Sequence, residues 1–169
     1  MPDVVAHSLG TWLIGHLLLA QLRRPEHERQ RIGRLIVTGS ILRPDFPWGK
    51  LQRAGLVDDV LNHYGTDDWV VTKAHCFVRD SGPSGRRGFD LAAADPALNH
   101  SVLNVAAPGH GHSDVLDETN DAYERYLSVW KPFLTNPVGH AGRGIDVTDP
   151  ADAWKPYPWP ARRGWRAHR

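Results

Sequence analysis

The feature that most constrains this chain lies near its start. A short apolar run, Asp3-Val4-Val5, meets Ala6-His7-Ser8-Leu9-Gly10, and a strongly apolar stretch follows from Thr11 to Leu22. This pattern predicts a strand over 3–7, a tight turn carrying Ser8, and a helix from about Leu9 to Leu22 that is apolar nearly all round. Small residues two positions before and after the serine, Ala6 and Gly10, let strand and helix approach without clashing. A serine in an ordinary strand-to-helix turn is the plainer reading of the same residues.

Two later segments repeat the arrangement of a strand followed by a loop with a polar side chain. Val60-Leu61-Asn62-His63-Tyr64 reads as a strand that leaves through Gly65 into Thr66-Asp67-Asp68, with Trp69-Val70-Val71 behind it. Ser101 to Ala106 reads as another, running out into Pro108-Gly109-His110-Gly111-His112-Ser113-Asp114. Between the first strand and these lies Leu35-Ile36-Val37-Thr38, a continuous apolar run that breaks at Gly39. Apolar strands alternating with helical stretches predict an α/β fold: a parallel sheet of about four strands with flanking helices.

The pieces Val-Val-Ala-His-Ser-Leu-Gly-Thr at 4–11, Leu-Ile-Val-Thr-Gly-Ser at 35–40, Asn62 to Val71, and Gly-His-Ser-Asp at 111–114 carry a resemblance. Residues 4 to about 134 are similar to the C-terminal half of an α/β-hydrolase of the lipase and serine-esterase type. Such enzymes order nucleophile, acid and histidine in that sequence, each just after a strand. The resemblance implies that Ser8 is the nucleophile, Asp68 the acid with Asp67 as alternate, and His112 the base with His110 as alternate. The family's acid usually stands directly before a short apolar turn, and His-Ser-Asp leading into a helix is its commoner histidine form. It further implies an oxyanion donor at the backbone N–H of Leu9, a carboxylic ester as substrate, either a small molecule or a lipid, and no cofactor.

The family places four strands and a second oxyanion donor before the elbow, whereas seven residues precede Ser8 here. The resemblance therefore implies a partial α/β-hydrolase, strands five to eight, that is weakly active or inactive. Its first strand would be an exposed edge through which the chain self-associates or takes a partner chain. The rival from another class is a non-catalytic fragment, or a half-domain that needs a second chain.

Composition narrows the alternatives. Of 169 residues, 41% are hydrophobic and 23% charged, which is ordinary for one globular domain, and a net charge of +1 gives no argument for a specific nucleic-acid partner. The single cysteine, Cys76, excludes an internal disulfide, suits the cytoplasm, and reads as space-filling behind Val70 and Val71. The stretch from Val4 to Leu22 is interrupted by His7, Ser8, His16 and Gln21, so no transmembrane or targeting segment is expected.

Further along, helices are expected at Trp48 to Ala54 and from Asp68 or Trp69 to Phe77. The loop from Ser40 to Trp48 either walls a substrate pocket or, the preferred reading, caps the core with Phe46 and Trp48. Ser81 to Gly88 reads as a plain flexible loop, and Asp114 to Leu134 as an amphipathic terminal helix. Domain packing is expected over 1–134; a Pro/Gly/Trp/Arg-rich tail, disordered and ending in solvated basic charge, is expected over 135–169.

The string His110-Gly111-His112-Ser113-Asp114 also resembles the His-x-His-x-Asp zinc motif of metallo-β-lactamase-type hydrolases. Their motif continues with a further histidine where Val115 stands here, and no Cys or His pair elsewhere has ligand spacing, so no metal is expected.

Overall fold

A computed structural model describes residues 1–74, 76–90, 102–117, 124 and 126–147. The apolar runs become four strands, β1 (Val4–His7), β2 (Arg34–Thr38), β3 (Asp59–Gly65) and β4 (Val102–Ala107), in one all-parallel sheet of order β1-β2-β3-β4. Helix α1 (Leu9–Gln21) joins β1 to β2, and α2 (Trp48–Arg53) lies between β2 and β3. Short helices α3 (Trp69–Ala74) and α4 (Ser84–Arg87) precede β4. A π-helical turn at Tyr126–Trp130 leads into α5 (Lys131–Thr135).

The strands carry apolar residues toward both faces because helices and the C-terminal segment pack on both sides of the sheet. Alternation along each strand sends Val4, Ala6, Leu35, Val37, Val60 and Val102 to one face, where they pack with Leu18 of α1, Leu51 of α2, Phe46, Trp48 and Phe89. Phe46 and Trp48 are thus core residues, as the preferred reading expected. Ile36, Leu61, Leu103 and Val105 point the other way, onto Val129, Phe133, Ala141 and Ile145. Packing therefore continues past residue 134: Ala141 is fully buried and Ile145 nearly so. Residues 148–169, the rest of the expected tail, lie outside the described residues.

That C-terminal segment is fastened by a buried ion pair. Asp59, at the start of β3, accepts the N–H of Gly139 and lies 3.7 Å from Nε of Arg34, whose guanidinium also donates to the carbonyls of Leu134 and Asn136. Burial pushes the Asp59 carboxyl above its ordinary value, against the pull of Gly139 and Arg34.

Several expectations are corrected. Ser81 to Gly88 is no plain loop: residues 81–85 are buried and include the start of α4. Asn62 and Asn104, neighbours on β3 and β4, bind this segment through Ser84 O, Phe89 N and Phe89 O. At Gly85 a Cβ would stand 2.2 Å from the backbone nitrogen of Ser40, so only glycine can approach β2's exit so closely. Cys76 is exposed and so does not fill space behind Val71. The helix expected over Asp114 to Leu134 is not continuous: it opens as a single 3-10 turn, Asp114–Leu116, after which Asp117 is extended, and helical backbone is described again at Tyr126–Trp130 and Lys131–Thr135.

Helix α1 is not buried all round either. Among the described residues β1 pairs only with β2, and Val5 of that strand and Leu9, Leu13 and Leu17 of α1 are each at least half exposed. At Gly10 an added Cβ would meet nothing within 4 Å, so strand-to-helix approach does not require glycine there. No helix among the described residues is long and apolar enough to cross a membrane.

Two outcomes follow from this packing. Replacing Leu13 and Leu17 together by Glu is expected to leave thermal stability within about 0.5 kcal/mol per site while raising the concentration at which the chain stays unassociated in sedimentation. For Asp59 the folded state holds its proton more tightly than the unfolded state. Its contribution to stability is therefore present in acid and lost as pH rises through the folded pKa. Denaturation across about pH 3 to about pH 7 should show the parent losing stability relative to Asp59→Asn as pH rises.

Candidate active site

In a parallel sheet every strand ends at the same edge, so the loops after β1, β2, β3 and β4 gather there. At the end of β1 the chain turns at Ser8, whose φ of 52° and ψ of −123° lie where non-glycine residues rarely sit. Such backbone costs of order 1–3 kcal/mol and persists only when its surroundings hold it. Here Ser8 N–H donates to Thr38 O on β2, while Ser8 O accepts from both the N–H and the hydroxyl of Thr11. Thr11 Oγ1 in turn accepts the N–H of Ile41, which ties the turn to the segment after β2.

Serine is among the preferred N-cap residues because its oxygen accepts a helix N–H. Ser8 occupies that position on α1 but makes no side-chain cap bond. Its Oγ lies instead 2.8 Å from Nε2 of His112. The backbone N–H groups of Leu9 and Gly10 fall in the first turn, where helix geometry supplies no acceptor.

After β3 the chain reaches Asp68, which is fully buried. Its Oδ1 accepts the N–H groups of Val70 and Val71, capping α3, and its Oδ2 lies 2.8 Å from Nδ1 of His112. An ionised carboxylate only accepts, so Nδ1 carries the proton and Nε2 is left to accept from the Ser8 hydroxyl. The alternates point elsewhere. Asp67 is exposed and its N–H donates to His110 O, while His110 Nδ1–H donates to Pro108 O.

The histidine loop is shaped by its neighbours. Thr66 N–H donates to Ala107 O and Gly109 N–H to Thr66 Oγ1, which laces the exits of β3 and β4 together. Gly65 must lack a side chain, since a Cβ there would stand 2.3 Å from His110 O. Asp114 Oδ2 accepts the N–H of Gly111, so the aspartate of the zinc-like string serves as a loop brace. Among the described residues no group of three or more His, Cys, Asp or Glu could hold a metal ion.

Two residues at the site were given no functional role by the sequence. Gly39, φ 50°, ends β2 beneath the His112 ring: a Cβ there would come within 2.9 Å of Cε1 of both His112 and His7. His7 closes β1 with Nδ1 2.9 Å from Thr38 Oγ1, its ring centroid 4.8 Å from that of His112. Burial, then the nearness of His112, holds the His7 imidazole below its ordinary value, with Asp68 and Thr38 opposing. His7 pairs in register with Thr38, and the return of the histidine loop brings His112 to it.

The chain matches no protein-family model, and no curated protein or solved structure matches it either.

Gly39→Ala must both strain a left-handed backbone position and push the His112 ring off its seat. The expected result is an unfolding free energy lower by about 1–2 kcal/mol. With it, any Ser8-dependent turnover should drop by about tenfold or more.

Proposed function

We propose that this chain is a serine hydrolase that cleaves carboxylic esters through an acyl-Ser8 intermediate. One observation carries the reading. A serine on strained backbone gives up its helix-capping bond to meet a histidine, whose other nitrogen is held by a buried carboxylate.

A serine hydroxyl is a poor nucleophile until a base takes its proton. His112 Nε2 accepts that proton as Ser8 Oγ attacks the ester carbonyl carbon, and Asp68 stabilises the imidazolium that forms. The carbonyl oxygen becomes an oxyanion facing the Leu9 N–H and the positive end of α1. Collapse breaks the bond to the alkoxy group, which leaves as the alcohol with the proton from His112. Water then attacks the acyl-enzyme, giving up its proton to His112, and the acid departs as Ser8 regains its hydrogen. These steps require no cofactor. The substrate is a small-molecule or lipid ester, and Cys76 suits a reducing compartment, the cytoplasm.

Leu9 N–H is the oxyanion donor that this reading places beside the nucleophile, and removing one donor from a complete site costs about 10²–10³ in rate. A second reading, a non-catalytic half-domain completed by another chain, is favoured by the half-exposed Val5, Leu9, Leu13 and Leu17 together with a strand β1 that, among the described residues, pairs only with β2.

Turnover of a short-chain activated ester by the purified chain, beside Ser8→Ala, tests the proposal. Hydrolysis that disappears in Ser8→Ala, and falls far more in Asp68→Asn than in Asp67→Asn, is expected. Activity equal in the parent and Ser8→Ala would overturn the esterase reading.

A further inference from the structure

Both nitrogens of His112 are engaged, Nδ1 by Asp68 and Nε2 by Ser8. Two hydrogen bonds on opposite sides of an imidazole leave it free to roll about the line joining them. What resists that rotation is packing against the ring's faces and its Cε1 edge. Gly39 lies against the Cε1 edge, closely enough that a methyl group would displace the ring. A further neighbour is His7, whose ring is tilted by 47° to that of His112 at a centroid separation of 4.8 Å.

His7 is itself firmly placed. It pairs in register with Thr38, and its Nδ1 shares a hydrogen bond with the Thr38 hydroxyl. The carbonyl of the same threonine accepts the N–H of Ser8. One fully buried residue of β2 thus anchors both the nucleophile's turn and the ring beside the base. His7 also meets the electrostatic demand of the position. Burial and the neighbouring imidazole favour its neutral form, so no second cation opposes the imidazolium on His112. Asp68 is the carboxylate that acts on His7, and His63 stands one strand further along the same row, beyond Thr38.

We propose that His7 is a positioning residue for the hydrolytic site: its ring, anchored on Thr38, packs against His112 and keeps that imidazole seated between Asp68 and Ser8. The inference rests on the reading of Ser8 as nucleophile and His112 as base. Ring packing, rather than titration, is the property that position 7 supplies. Phenylalanine should therefore replace His7, and alanine should not.

The test uses the full chain with His7→Ala and His7→Phe. In His7→Ala, kcat is expected to fall by about tenfold to a hundredfold, since small misplacement of a reacting group has effects of that size. KM should stay within about twofold, because ground-state binding is untouched. His7→Phe is expected to retain most of the parent's kcat. Proton NMR provides a second reading that needs no turnover. The low-field proton of the His112–Asp68 bond should exchange with solvent faster in His7→Ala, and at nearly the parent rate in His7→Phe. An unchanged kcat and exchange rate in His7→Ala, or a His7→Phe variant as impaired as His7→Ala in both, would overturn the proposal. A parent that shows the low-field proton but hydrolyses no ester would sink the esterase reading alone, and the exchange comparison would then decide the role of His7.

Discussion

Ser8 is held in a backbone conformation that its residue type disfavours, and the site depends on the bonds that hold it there. Thr38 O and the two donors of Thr11 fix the peptide groups on either side of Ser8. Each such hydrogen bond contributes about 0.5–1.5 kcal/mol net. Three of them are of the size needed to offset the 1–3 kcal/mol, roughly, that the conformation costs. The result is a side chain lifted off the helix end, with its oxygen directed at His112 rather than at an N–H of α1.

Distance is the second constraint. Ser8 follows β1 and His112 follows β4, and three inter-strand steps separate those strands by about 14 Å. The histidine loop must therefore fold back across the sheet's end. Gly65 opens the way at the exit of β3, and Gly39 provides the seat at the exit of β2. Asp68 meets the loop half-way, already fixed by the helix it caps. The carboxylate is thereby oriented before the histidine reaches it, which is the preorganisation that general-base catalysis needs.

Much of this was legible in the chain. Strands β1 to β4 follow the apolar runs to within a residue or two at each end, and Ser8, Asp68 and His112 each stand just past a strand. The choice between Asp67 and Asp68 rested on the apolar turn behind them, and the structure places Asp68, not Asp67, against His112. What escaped the sequence reading was tertiary. Ser81 to Gly88 has the composition of a loop, and it is buried because Asn62 and Asn104 offer amides for its backbone. A strand asparagine announces no partner 22 residues away. Gly39 and His7 matter only through their contact with a ring brought from residue 112. Residues 137–145, rich in proline and glycine, read as tail, yet Ala141 and Ile145 complete the second core under the clasp of Asp59 and Arg34.

The central claim is that Ser8 is an activated nucleophile because His112 and Asp68 act on it. The most direct measurement is mass spectrometry of the intact chain and its peptides after treatment with a fluorophosphonate, a reagent that labels serines of raised nucleophilicity. The account predicts one phosphonyl group per chain, on Ser8, with labelling that slows sharply in His112→Gln and Asp68→Asn. Labelling spread over several serines, or labelling of Ser8 at the same rate in those variants, would contradict it.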